Sequence, residues 1–326
     1  MNMFIPITQS KKWQKLQDDL GEISHFEKQD GYQYLAIKKH TKAGNYLFVP
    51  YGPIAADRES FKNALKSLQN LANKTNSIFI RIEPMDKEVA NYLPISAKKV
   101  HDIDPADTWV LDLTPDVATL LTNFSQGTRT RYNTYSKKGL TVEKTKDPEE
   151  IKHLVALQNK LYKQKHLTAF TEKYLKTELE QPFSTLYIVK YNRELDTTFE
   201  QAKKEGRLDN YPKNGQVLAA SLFFDYENTR YYMQSAADGT YKKLPATVAL
   251  LTKAIFDAKE QGTEYFDFWG IAPDNAPDDH PWKGFTEFKK SFGGEARHYA
   301  GTYDIVLKPA KYKLMRTLKK LQRVLK

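Results

Sequence analysis

One run of elements, strand, strand, helix, strand, can be read twice along this chain, and that recurrence limits the fold more than any other feature. Residues 32–38 and 45–49 are short, aromatic and β-branched, bounded by Gly31, Gly44 and the Pro50-Tyr51-Gly52-Pro53 corner. Residues 57–74 carry Phe61, Leu65, Leu68 and Leu71 at helical spacing, and 77–82 read as a buried strand. A further strand at 108–113 precedes helices at 116–125 and 129–138. From Lys146 the pattern restarts, with helices at 148–165 and 171–180 and strands at 185–191, 216–225 and 229–235. A helix at 245–261 and a strand at 265–269 follow. No residue-level repeat links the halves, so the expectation is a mixed α/β (α+β) fold of two related domains, mixed sheets flanked by helices. Polar residues 193–215 read as a surface insertion.

A length of 326 residues suits two such units, and 40% hydrophobic with 13% aromatic residues excludes a disordered chain. Cysteine is absent, which rules out disulfides, thiolate nucleophiles, Cys-ligated zinc and iron–sulfur clusters. No run of about 18 apolar residues occurs and the first residues form no signal h-region, so the cytoplasm is the expected address. Fifty Lys and Arg against 40 Asp and Glu give a net charge of +10. That excess attracts nucleic acid, an anionic membrane surface or a phosphorylated substrate, and charge alone does not choose among them. Eight of the basic residues fall in 308–326, a stretch without acids, where Leu314, Leu318, Leu321 and Leu325 lie near one helical face. The commoner reading is a terminal helix docking its leucines on the protein; contact with a membrane surface or RNA is the second.

Four places carry more specific signals. Gln9-Ser10 is followed by Trp13 and Lys15; Tyr51-Gly52-Pro53 forms a corner; Arg129-Thr130-Arg131-Tyr132-Asn133 precedes Lys137-Lys138-Gly139. The fourth is Asp267-Phe268-Trp269-Gly270-Ile271, then Gly284-Phe285, Phe288-Lys289 and Phe292-Gly293-Gly294. Together they resemble the Fem family of peptidoglycan-bridge aminoacyltransferases over nearly the whole chain, most specifically in the last block. The resemblance implies two acetyltransferase-like (GNAT-type) domains and no metal or organic cofactor. It implies a first domain at 1–145 that binds the acceptor, completed by a helix at 308–326, and a catalytic second domain at 146–307. It further implies partners in aminoacyl-tRNA and a UDP-linked or lipid-linked muropeptide, and none in DNA. The insertion at 193–215 is too short for the coiled-coil arm of some members, so the chain is similar to the armless, FemX-like ones. An arginine with which those contact substrate phosphate is replaced around Phe170.

For chemistry, the turn Tyr241-Lys242-Lys243-Leu244-Pro245 before a helix lacks the glycines that cradle a pyrophosphate. Lys242 and Lys243 read equally as point charges for a phosphate or as a solvated turn. Aminoacyl transfer needs a fixed cation for the oxyanion, and Lys289, set among Phe285, Phe288 and Phe292, is by the resemblance the candidate catalytic residue, whereas spacing alone favours a surface lysine whose stem covers those aromatics. Asp267 and Asp304 are candidate proton acceptors, against the plainer reading of Asp267 as a strand residue bonded to backbone. Trp269 and Phe288 belong to the same candidate substrate site. By resemblance, Lys15 beside Trp13 contacts acceptor phosphate and Tyr174 the sugar-peptide, with core, helix surface and amphipathic edge as the structural alternatives. Arg129, Arg131, Lys137 and Lys138 suit tRNA phosphates or a plain basic helix. His25, His101, His280 and His298 are isolated and His166 has no partner at helical spacing, so no metal site is expected.

Overall fold

The computed structural model describes residues 4–165, 169–206, 208 and 211–324. His166 and Leu325, named above, lie outside them. The chain forms two compact units, 1–107 with 298–326 and 108–297.

In the first unit, helix α1 (Lys11–Asp19) leads to strands β1 (Ile23–Gln29), β2 (Tyr32–Thr41), β3 (Gly44–Val49) and β4 (Ile54–Ala55). Helix α2 (Arg58–Lys74), β5 (Ser77–Ile82) and β6 (Ala97–Lys99) follow. The Asp57 side chain accepts the Ser60 N–H and so starts α2, whose Phe61, Leu65, Leu68 and Ala72 pack on the sheet at helical spacing. The sheet runs β1-β2-β3-β5, with β3 and β5 parallel. Gln9 joins two of the sequence motifs: wholly buried, its amide donates to the Pro50 carbonyl at 2.6 Å and accepts the Leu35 N–H at 2.8 Å. A Cβ on Gly52 would fall 2.6 Å from that side chain, so the glycine of the corner and the glutamine fit one another.

The second unit begins with β7 (Asp107–Asp112), α3 (Val117–Asn123), α4 (Gln126–Thr134), β8 (Lys138–Thr145), α5 (Ile151–Lys165) and α6 (Glu172–Leu179). Then come β9 (Ser184–Asp196), α7 (Phe199–Lys204), β10 (Val217–Tyr226), β11 (Thr229–Ala237), α8 (Ala246–Glu260), β12 (Tyr265–Gly270), α9 (Lys283–Lys290) and β13 (Glu295–His298). The sheet order is β13-β7-β12-β11-β10-β9-β8, and α8 buries Val248, Leu251 and Ile255 in an aromatic core with Phe223, Phe266, Phe268 and Phe292. Strand β14 (Tyr303–Val306) and helix α10 (Pro309–Val324) then return to the first unit, β14 between β5 and β6.

Three sequence expectations change. The units divide at 107/108 and 297/298 instead of 145/146 and 307/308, because β7 and β8 hydrogen bond into the second sheet and β14 into the first. The basic stretch 129–138 is not one helix: α4 ends at Thr134, Lys137 lies in a turn and Lys138 opens β8. Helix α10 docks through Tyr312 and Met315 on Ile78 and Phe79, while Leu314 and Leu321 are exposed.

Beneath α10, the Arg81 guanidinium donates to both Asp304 oxygens, at 2.7 and 2.8 Å, and the Tyr312 hydroxyl donates to the same carboxylate at 2.8 Å. Asp304 is therefore a buried counter-ion, not a proton acceptor in transfer. Replacing Asp304 by Asn leaves the Arg81 charge buried without its counter-ion, which should cost about 3–5 kcal/mol in urea unfolding. The double variant Arg81→Met, Asp304→Leu should recover most of that loss, because the unpaired charge is then gone.

Candidate functional site

The site in the second unit is built where two parallel strands part. β11 and β12 pair only from Thr229, Arg230 and Tyr231 to Tyr265, Phe266 and Asp267, and β11 continues past them to Ala237. Tyr232, Met233, Gln234 and Ser235 stay half-buried beyond that point. β12 leaves the pairing through Trp269, whose φ of 64° lies in the left-handed region that a bulky residue rarely adopts. An Asp267 oxygen accepts the Trp269 N–H at 2.7 Å and stabilises this turn, and the indole meets Tyr231 edge to face at 6.1 Å.

Helix α9 supplies the cation. Ala272 N–H donates to the Thr286 hydroxyl at 2.8 Å, and that hydroxyl donates to the Trp282 carbonyl at 2.8 Å, which ties the exit of β12 to the first turn of α9. At its other end Phe292 is wholly buried, edge to face with Phe124 and Phe288, both at 5.3 Å. Gly293 accepts the Trp109 indole N–H at 2.7 Å. Gly294, at φ 97°, brings its backbone so near β7 that a Cβ would fall 2.4 Å from the Val110 carbonyl. These contacts lock the helix in rotation, and Lys289 is turned inward.

Lys289 is buried, its ammonium donating to the Gly270 carbonyl and lying 5.1 Å from the centre of the Phe285 ring. Burial pulls its pKa down to about 8, opposed by the charge of Asp267. Burial likewise pushes Asp267 up to about 6, opposed by the Trp269 N–H, Arg297 and Lys289 in that order. A carboxyl raised and an ammonium lowered, held beside a strained turn and a gap between strands, is the arrangement expected where charge develops during a reaction. The group can stabilise an oxyanion at neutral pH and can also release its proton there.

The other expected residues are spread differently. Phe288 packs on the core beside Lys289, half-buried. Lys242 and Lys243 are exposed in the turn from β11 to α8, with Asp238 of that turn paired to Lys160 at 2.7 Å. Tyr174 stacks on Phe170 at 5.0 Å and neighbours Glu178, whose carboxyl burial pushes up to about 8. Arg129 donates to the Thr122 carbonyl at 2.9 Å and to the Phe124 carbonyl, so it closes the end of α3, while Arg131 and Lys137 are exposed and Lys138 is half-buried. Trp13 and Lys15 lie on α1 of the first unit; Trp13 is core, and Lys15 is exposed and paired with Asp19 at 2.8 Å.

Sequence reading missed Trp282, which stands 38% exposed with its ring 5.8 Å from Phe285. The available signal was a tryptophan within Asp278-Asp279-His280-Pro281-Trp282-Lys283, where no apolar periodicity calls for one. Among the described residues no group of His, Asp and Glu is arranged to hold a metal ion.

A model of the FemAB family matches residues 152–320. The structure is similar to a crystal structure of FemX at a TM-score of 0.77 and 18% identity, over 95% of this chain and 94% of that one. It is also similar to L-PGS from Bacillus licheniformis, at 0.59 and 14%, over 98% of both chains. A third likeness is to the C-terminal domain of a putative lysylphosphatidylglycerol synthetase from Agrobacterium fabrum, at 0.59 and 12%, over 94% and 91%. At such identities these likenesses show the fold alone, two mixed α/β units. No curated protein matches the chain.

Because its folded pKa of about 8 lies below the ordinary 10.5, charged Lys289 opposes folding at neutral pH, and that opposition fades as pH rises from 8 toward 10.5. Lys289→Met should therefore melt at or above the temperature of the native protein at pH 7. Scanning calorimetry over rising pH should show the difference narrowing above 8; a loss of several degrees at pH 7 would make the ammonium a structural group.

Proposed function

This chain belongs to the FemAB family, and on that premise we propose that it is an aminoacyltransferase, moving an amino acid from aminoacyl-tRNA to an amine on the stem peptide of a peptidoglycan precursor. The observation that carries the reading is the buried Lys289 ammonium at the parting of β11 and β12, beside Phe285 and Asp267. A neutral acceptor amine attacks the carbonyl carbon of the aminoacyl ester. The new N–C bond forms, the carbonyl oxygen takes negative charge, and the bond to the ribose oxygen breaks. One proton leaves the amine and one is gained by the departing ribose hydroxyl, so free tRNA and a peptide bond result.

Lys289 stabilises the oxyanion. Its burial makes the charge count for more than it would in water, and a fixed donor of this kind contributes roughly 10²–10³ in rate. Asp267 above its pKa keeps Lys289 charged and holds the Trp269 turn that presents the Gly270 carbonyl. Trp282 and Phe285, each a little over a third exposed and tilted 43° to one another, offer apolar ring faces beside the ammonium for the terminal base of the tRNA. Exposed Lys242, Lys243, Arg131 and Lys137 suit tRNA phosphates, and Tyr174 the acceptor.

Incubation with charged tRNA and UDP-linked muropeptide should raise the mass of the muropeptide by one aminoacyl residue, and a protein that binds both and forms no product would remove the enzymatic reading. Single-turnover transfer should hold between about pH 6, where Asp267 loses its proton, and about pH 8, where Lys289 loses its own. Lys289→Met should cut the rate about 10²–10³-fold and abolish the fall above pH 8.

A further inference from the structure

Helix α10 shows solvent a face that its own unit does not use. Tyr312 and Met315 turn inward, whereas Leu314 and Leu321 are 52% and 54% exposed. At about 100° per residue, seven residues bring Leu321 back to within about 20° of Leu314, so the two stand one above the other with Ala310 and Thr317 beside them. Lys311 lies about 60° to one side of this strip and Lys313 about 100° to the other, both exposed. No ion pair among the described residues engages either lysine, and residues 308–326 contain eight basic side chains and no acid. None of the described helices is long and apolar enough to cross a membrane.

We propose that α10 is a membrane-surface anchor that lies flat on an anionic bilayer. Leu314 and Leu321 enter the boundary between headgroups and acyl chains, and Lys311 and Lys313 reach the lipid phosphates on either side. Charge complementarity selects the occupant. A second copy of the chain would set the same cationic flanks against each other, which like charges oppose. Nucleic acid would satisfy the lysines and leave two leucines in water, because its phosphates offer an apolar side chain nothing. A bilayer of acidic lipids satisfies both at once.

Binding is read without turnover, so this inference and the transfer reaction fail separately. The full chain should sediment with vesicles of mixed phosphatidylglycerol and phosphatidylcholine and stay in solution with phosphatidylcholine alone. Leu314→Gln with Leu321→Gln, and separately Lys311→Gln with Lys313→Gln, should each weaken the partition roughly tenfold or more. All four side chains are exposed, so thermal melting should be unchanged in both variants. Native protein that ignores the anionic vesicles would overturn the proposal, as would binding that the leucine replacements leave intact. A lysine variant that loses tRNA and keeps its vesicle affinity would assign the face to RNA instead.

Discussion

Everything at the site depends on one ammonium held where water does not reach it. Desolvation draws the pKa of Lys289 down and the charge of Asp267 opposes it, while the ammonium also meets the Gly270 carbonyl and the Phe285 ring face. Their balance leaves the group ionised at neutral pH but only by a small margin. A cation in that condition is a strong electrostatic partner for any negative charge that forms beside it, because little competing solvent is present.

Holding such a group requires a scaffold that cannot relax around it. β11 and β12 cease to pair after Tyr231 and Asp267, and the bond from Trp269 N–H to Asp267 stabilises the backbone turn that follows. On the far side α9 is pinned at its first turn by Thr286 and at its end by Phe292, Gly293 and Gly294 against β7, Trp109 and α3. Both glycines have positive φ; at Gly294 a Cβ would fall 2.4 Å from the Val110 carbonyl and leave no volume for a side chain, and at Gly293 it would press on Asn123 at 3.2 Å. The segment that resembles the family signature is thus mostly a device for fixing the rotation of one short helix.

The first unit spends its polar residues on architecture. Gln9 ties the start of the chain to the corner at Gly52, and the Arg81, Asp304 and Tyr312 group joins β5, β14 and α10 across more than two hundred residues of sequence. That joining makes α10 part of the unit, and its outer face is what remains for a partner.

Local patterning determined the elements. Alternating aromatic and β-branched runs and the spacing of Phe61, Leu65 and Leu68 mark strands and helix wherever both neighbours and burial agree. Lys289 and its aromatic neighbours stood out in the sequence only through the family resemblance, since spacing alone favours a surface lysine whose stem covers aromatic rings. What it could not decide is which strand pairs with which. Strand β14 is short and lies outside the repeated pattern, and β7 and β8 carry nothing that distinguishes the sheet they join, so the division of the units was visible only in hydrogen bonding between distant segments. Side-chain roles followed the same rule. Arg129 looks like its basic neighbours until the open end of α3 is placed beside it, and Leu314 looks like core until Tyr312 and Met315 are found holding the inner face. Composition and period are properties of neighbours along the chain, whereas burial, pairing and pKa belong to neighbours in space, and only the folded molecule brings those together.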